Sequence, residues 1–326
     1  MPLDKYQREI DYLRISLTDV CNLRCVYCMP EHMAFRKSAE LLTDAELIRL
    51  ISLFSKIGFK KIRFTGGEPT LRRGLVDLVR HTTKQAGIRQ VGLTTNGLLL
   101  DQLAQPLADA GLTSVNVSLD TLDPTRFREL TRWGNVRDVL EGLTAATAAG
   151  LRVKLNAVPI RGVNDTDAAV ALAGLTLKND WQVRSIEMMP FANNAAFQTG
   201  QIVREVELRA HLESVFGPLE PLHDGKLDGE ARMFRIPGAP GAIGFISPVS
   251  TPFCAACNRV RLTADGRLRL CLLRDDEGDI RGLLRRGATD DEVEIALRSA
   301  IHRKPWGHDL AGDLIPASRG MSEIGG

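Results

Sequence analysis

Residues 21–28 read CNLRCVYC, three cysteines in the spacing C-x3-C-x2-C, directly behind the apolar stretch LRISL at 13–17. Four thiolates would close the coordination of a metal ion and build a structural site; three leave a position open. In a [4Fe–4S] cluster each iron takes one protein ligand, so three cysteines leave one iron for a substrate or cofactor. Soft thiolates suit zinc and iron–sulfur alike, and the ligand type does not choose between them. His32, four residues past Cys28, offers a Cys3His zinc site as the alternative.

Outward from this trio, short apolar segments alternate with amphipathic ones from about residue 13 to 190. The predicted strands are 13–17, 60–64, 90–94, 114–119, 152–158 and 183–188, rich in Val, Ile and Leu and bounded by Gly, Asn, Asp or Pro. Thr43 with Glu46 forms a capping box for a helix that Gly58 stops; Asn135 caps another that Gly150 ends. Connections this long between strands imply helical crossovers and a parallel sheet. Six units are visible where eight would close a barrel. The expected fold is therefore α/β, an incomplete (β/α)6 barrel, with a doubly wound open sheet as the second choice. Past residue 190 the rhythm breaks into a polar loop (191–201), a helix (205–216), Pro- and Gly-rich turns and short strands. This reads as a C-terminal β-containing extension covering the open side, dividing the chain into residues 1–190 and 191–326.

The 326 residues are 44% hydrophobic and 25% charged with a net charge of +2, ordinary for a soluble globular protein and no signature of a nucleic-acid partner. The charged start MPLDKYQREIDYLR has no apolar leader and no run is long enough for a membrane span, so a cytoplasmic setting is expected. Cysteines stay reduced there, and clusters of them mean metal or catalysis. The remaining three, Cys254, Cys257 and Cys271, form a second trio, C-x2-C-x13-C. No histidine lies between His223 and His302, so a local fourth ligand would have to be Asp265 or Asp275. An open position is favoured again.

Function in parallel sheets gathers at the carboxyl ends of strands. TGGEP (65–69), TTNG (94–97), SLD (118–120) and EMM (187–189) all fall there. Gly66 and Gly67 allow close backbone approach to a ligand, and Glu68 offers an acceptor for an ammonium. Arg14, Arg63, Lys154, Arg184, Arg259 and Arg261 lie inside strands, out of phase with the apolar residues. Such residues are buried only when paired or bound to an anion, and together they suit a polyphosphate; surface charge or ion pairing is the alternative.

CNLRCVYC together with TGGEP resembles the radical S-adenosylmethionine (SAM) superfamily. The phrase TDVCNLRCVYCMP, the second trio, TTNG, SLD, CNRVRL and the terminal IGG look like the GTP 3′,8-cyclase family of molybdenum cofactor biosynthesis, nearly end to end. The resemblance implies that Cys21, Cys25 and Cys28 hold a [4Fe–4S] cluster whose free iron chelates SAM, with Tyr27, Gly67, Glu68, Ser118 and Met189 around that cofactor. It implies a second [4Fe–4S] cluster on Cys254, Cys257 and Cys271, facing the guanine of GTP. Arg14, Arg63, Thr94, Lys154, Arg259, Val260 and Arg261 would contact GTP, and Arg14, Gly325 and Gly326 would serve catalysis. The implied reaction cleaves SAM to a 5′-deoxyadenosyl radical, removes the C3′ hydrogen of GTP and joins C3′ to C8. A reductant protein would supply electrons, and cyclic pyranopterin monophosphate synthase would take the product from a monomer or homodimer. One departure is Val20, where the family usually has Arg. A radical SAM enzyme with an auxiliary cluster acting on a peptide is the alternative, although such enzymes usually carry more cysteines in the extension.

Overall fold

Alternation inside each early strand decides which side the helices cover. The computed structural model describes residues 2–191, 199–310 and 315–325. In it β1 (Tyr12–Ser16), β2 (Lys61–Thr65), β3 (Gln90–Thr95), β4 (Ser114–Ser118), β5 (Arg152–Ala157) and β6 (Gln182–Ile186) pair in sequence order, each parallel to the next. All six lie within two residues of their predicted limits. Leu13 and Ile15, Ile62 and Phe64, Val91 and Leu93, Val115 and Val117, and Val153 and Leu155 enter one core with the helices. The intervening residues, Arg14, Arg63, Thr94, Asn116 and Lys154 among them, belong to the inner face.

The crossovers are α1 (Asp44–Ile57), α2 (Leu75–Thr83), α3 (Leu100–Asp109), α4 (Pro124–Thr131), α5 (Val136–Ala148) and α6 (Asp167–Gly174). The Thr43 hydroxyl accepts from Glu46 N–H at 3.2 Å while the Glu46 carboxylate accepts from Thr43 N–H at 2.8 Å. Gly58 ends α1 at φ 108°, a left-handed position that glycine adopts without penalty. The apolar stripe Leu47, Leu50, Ile51, Phe54 and Ile57 enters the same core as Leu13, Ile15, Ile62 and Phe64 of β1 and β2. Each fully buried Leu, Ile or Phe there contributes about 1.5–3 kcal/mol. Asn135 caps α5, accepting from Arg137 N–H at 3.1 Å.

The extension comprises α7 (Glu205–Phe216), β7 (Glu220–Pro221), β8 (Leu227–Asp228), β9 (Ala231–Arg235), β10 (Ala242–Ile246), β11 (Arg259–Leu262), β12 (Arg267–Arg269), β13 (Glu277–Asp279), α8 (Ile280–Arg285) and α9 (Asp290–His302). It takes up both edges of the sheet: β10 runs parallel to β6 and β11 parallel to β1. The order is β13-β12-β11-β1-β2-β3-β4-β5-β6-β10-β9-β7, with β8 on β9, and among the described residues the sheet does not close. The tail returns to the inner side. Arg319 pairs with Asp265 at 2.9 Å and with Glu277 at 2.6 Å, and Arg36 pairs with Glu323 at 2.6 Å. Most of the polar loop expected at 191–201, namely residues 192–198, and also Gly326, lies outside the described residues. No described helix is long and apolar enough to cross a membrane.

Candidate active site

The first trio sits where β1 runs out. Its loop is tied by backbone bonds to two neighbours, the turn after β2 and the end of α4. Gly67 N–H donates to Thr18 C=O at 2.6 Å and Glu68 N–H to Val20 C=O at 2.8 Å, while Arg24 and Val26 N–H donate to Thr131 and Leu130 C=O at 3.1 and 3.0 Å. The glycines of TGGEP thus let the β2 turn approach the cysteine loop. A Cβ on Gly67 would stand 2.5 Å from the Asp19 carbonyl oxygen and nearer still to that of Val20. Arg24, inside the motif itself, is the other fastener. Its guanidinium lies over both Phe35 and Trp133, 4.8 and 4.6 Å from the ring centroids, and donates to Cys21 and Leu23 C=O at 2.7 and 2.8 Å. Leu23 N–H points at Cys21 Sγ, 3.4 Å away.

Glu68 is fully buried and mostly spent on its own scaffold. Oε1 accepts from Thr70 N–H and Oγ1 and from Thr95 Oγ1, and Oε2 accepts from Asn96 N–H at 2.7 Å. It straps the β2 turn to the end of β3. Tyr27 donates to Asp120 at 2.7 Å, and Asp120 also accepts from Val158 N–H. Burial pushes the Asp120 carboxyl up to about 6. The SLD segment therefore holds Tyr27 in place, a role the sequence analysis did not assign.

The second trio lies at the opposite end. β11 is parallel to β1 with Tyr12 opposite Arg259, so Cys257, two residues before β11, is at the amino end of the sheet. Cys271 follows the antiparallel β12 to the same end. The two trios are separated by the length of a five-residue strand, roughly 16 Å. Arg8 holds the far loop, donating to Cys254 and Trp306 C=O, both at 2.6 Å, while Asp4 secures its Nε at 2.7 Å. Lys304, buried, donates to Leu270 C=O.

The thiols at the two ends are poised differently. Burial pushes Cys21 up to about 11, Cys28 up to about 12, and Cys25 well above the usual thiol range. Burial acts upward on Cys257 too, but Lys304 and Arg259 outweigh it and bring Cys257 down to about 7. All six cysteines are free, and among the described residues no three of His, Cys, Asp or Glu are placed to hold a single metal ion. The alternative Cys3His site with His32 is not formed. Soft donors open on one side, each free to take a different iron, fit a cluster.

Between the ends lies one cavity of about 300 Å3, and all six cysteines line it. So do Tyr27, Gly67, Glu68, Ser118 and Met189, and likewise Arg14, Thr94, Arg259 and Arg261. Three expected nucleotide contacts are placed elsewhere. Arg63 is buried and not among the lining residues. Its guanidinium, in space left by the missing side chain of Gly92, donates to Tyr12 Oη at 2.9 Å, Leu93 C=O at 2.7 Å and Ser114 Oγ at 3.5 Å. Lys154 is also outside the lining; burial, with Arg184 adding to it, brings it down to about 8. Val260 pairs with Leu13 and joins the helix-side core at 1% exposure, so it offers the cavity no side chain. Asn116, Asn156, Glu187, Glu230, Lys304 and His308 line the cavity without having been singled out as site residues. Gly325, at φ 70°, lies against Thr65 and Ser16, where a Cβ would stand 2.6 Å from Thr65 Cγ2, and its carbonyl accepts from Arg261 at 2.8 Å.

Comparison with known proteins bears on this arrangement. The Radical SAM superfamily profile matches residues 15–173, and the Molybdenum Cofactor Synthesis C profile matches residues 181–310. The chain is similar to GTP 3′,8-cyclase of Thermodesulfovibrio yellowstonii, 44% identical over 326 residues and 99% of both chains. It is likewise similar to GTP 3′,8-cyclase of Pelotomaculum thermopropionicum, 45% identical over 325 residues and 99% of both. Among solved structures, Streptococcus suis SuiB bound to S-adenosylmethionine shares the fold, with a TM-score of 0.61 at 15% identity over 89% of this chain and 68% of that one.

Proposed function

Since the chain belongs to the radical SAM superfamily and, within it, to the GTP 3′,8-cyclase family, we propose that its two-ended cavity brings SAM and GTP together. The reaction is the first step of molybdenum cofactor biosynthesis, converting GTP to (8S)-3′,8-cyclo-7,8-dihydroguanosine 5′-triphosphate. The observation that carries the reading is that all six cysteines and three of the strand arginines line one space. Cys21, Cys25 and Cys28 would hold the [4Fe–4S] cluster at the carboxyl end, with Tyr27, Gly67, Glu68, Ser118 and Met189 around SAM. Bound there, cluster and SAM would supply the chemistry that removes a hydrogen atom from the ribose. Cys254, Cys257 and Cys271 would hold a second [4Fe–4S] cluster at the amino end, beside the base.

The chain's own residues do the positioning. Arg24 and Gly67 fix the cysteine loop, and Asp120 fixes Tyr27. Arg14, Arg259 and Arg261 would bind the triphosphate, with Thr94 beside them, and Arg63 and Lys154 would add positive potential from behind the lining. The tail would seal the carboxyl end against water, Gly325 anchored on Arg261, with Gly326 beyond it. In this reading residues 1–190 carry the SAM chemistry and residues 191–326 the second cluster and tail. The protein works in the cytoplasm as a monomer or homodimer, takes electrons from a reductant protein, and passes its product to cyclic pyranopterin monophosphate synthase.

The test is nucleotide-dependent cleavage. Protein reconstituted anaerobically with iron and sulfide, given dithionite and SAM, should form 5′-deoxyadenosine faster with GTP than with ATP, CTP or UTP. Formation indifferent to the nucleotide would overturn the assignment of substrate.

A further inference from the structure

Glu230 is an anion set in the middle of the cavity's cationic wall. The tight turn between β8 and β9 carries it to the sheet's inner side, where it lines the cavity beside Arg14, Arg259 and Arg261. Its Oε2 stands 3.2 Å from Arg259 Nη1 and its Oε1 3.8 Å from Arg184 Nη1. Burial acts to raise its carboxyl, but Arg259, then Arg184, Arg14 and Arg63, hold it down at about 2, so the group is fully charged. Of these arginines Arg14 and Arg259 line the cavity, and guanidinium groups are the side chains that pair with phosphate oxygens.

The arginines do not depend on Glu230 for their positions. Arg184 also donates to Asn156 Oδ1 at 2.8 and 3.1 Å, and it occupies space that the bare Gly244 leaves open. Arg259 stacks on Phe253, 4.9 Å from the ring centroid. The carboxylate's own support is slight. β8 has two residues and hydrogen-bonds to β9 alone among the described strands. The turn can therefore swing outward without breaking a parallel pairing of the barrel. Buried Arg14, Arg63 and Arg184 and partly buried Arg259 make a costly concentration of positive charge, and one tethered carboxylate lowers that cost in the empty site.

Resting on the reading that Arg14, Arg259 and Arg261 take the triphosphate, we infer that Glu230 is a displaceable stand-in for phosphate, occupying the position beside Arg259 until GTP replaces it. Binding then includes the work of displacing a tethered anion. A highly charged triphosphate can do this and a singly charged anion cannot, which makes Glu230 a specificity-determining residue for the length of the phosphate chain.

The experiment measures equilibrium binding of GTP and of inorganic tripolyphosphate to the full chain, reconstituted anaerobically, in the wild type, Glu230→Gln and Glu230→Asp. Removing the competing charge should tighten both ligands about tenfold in Glu230→Gln, while Glu230→Asp should stay close to wild type. The melting temperature of Glu230→Gln without ligand should fall, and tripolyphosphate should raise it more than it raises that of the wild type. Should Glu230→Gln be too unstable to assay, Glu230→Ala carries the same expectation. Unchanged or weaker binding of both ligands by the neutral variants would overturn the inference. So would weaker GTP binding with tripolyphosphate unaffected, because Glu230 would then be holding base or ribose. A wild type that fails to bind GTP would instead overturn the substrate assignment beneath it.

Discussion

Replacing Cys25 by alanine is expected to reduce reductive SAM cleavage at least roughly a hundredfold, to the background of protein without iron. Loss of a mere hydrogen-bond partner of a metal ligand costs about 10- to 100-fold, and here the ligand itself goes. The second trio cannot substitute, because Cys257 lies at the amino end of the sheet and Cys25 beyond the carboxyl end of β1. The thiol sits among Cys21, Cys28 and Asp120, and burial with those charges keeps it protonated in the metal-free chain. Its cost as a buried polar group is repaid only by a cluster that takes the proton's place. The measurement is 5′-deoxyadenosine formed under dithionite, with iron content read in parallel. Retained cleavage in the variant would remove the first trio from the reaction.

Gly67→Ala should lose cleavage almost as completely while leaving every thiol in the chain. The added Cβ has no side chain to push aside. It meets the Asp19 carbonyl oxygen at 2.5 Å and the Val20 carbonyl closer yet, both backbone. Relief requires the cysteine loop to lift off the β2 turn, breaking the Gly67–Thr18 and Glu68–Val20 bonds. Overpacking of this kind costs about 1–3 kcal/mol, and more against rigid backbone. The displacement falls on the loop that carries Cys21. Anaerobic reconstitution should therefore give fewer iron atoms per chain together with a lower melting temperature. A variant with full iron content and wild-type cleavage would show that the close approach at Gly67 is dispensable.

Much of this was legible before the structure, and the reasons are local. The alternation of Leu13 and Ile15 with Arg14 set the basic residue on the face opposite the apolar ones, as it did for Arg63, Lys154, Arg259 and Arg261, and the structure makes that face the inner one. Thr43, Glu46 and Gly58 marked both ends of α1 by capping chemistry that needs no tertiary context. Alternation also argues against Val260, which had been grouped with the nucleotide contacts through resemblance and lies on the helix side with Leu13. What was not legible depends on pairings distant in sequence. That the second trio lies at the far end of the sheet follows only from β11 aligning parallel to β1, about 250 residues away in the chain. The same holds for Arg8 on the Cys254 loop, for the Tyr27–Asp120 bond, and for Glu230, an unremarked acid in a turn until the sheet brings four basic side chains around it. Arg63 faces the expected side but is used up on Tyr12, Leu93 and Ser114, because Gly92 leaves room for its guanidinium to lie back against the sheet.

The most direct test is isotopic. If one cavity holds SAM at its carboxyl end and the ribose of GTP against it, deuterium placed at C3′ of GTP must pass straight to the cofactor's 5′ carbon without exchanging with water. Anaerobically reconstituted protein given dithionite, SAM and [3′-2H]GTP should release 5′-deoxyadenosine one mass unit heavier. Unlabelled 5′-deoxyadenosine formed at the same rate would mean that the two ends of the cavity do not bring these molecules into contact.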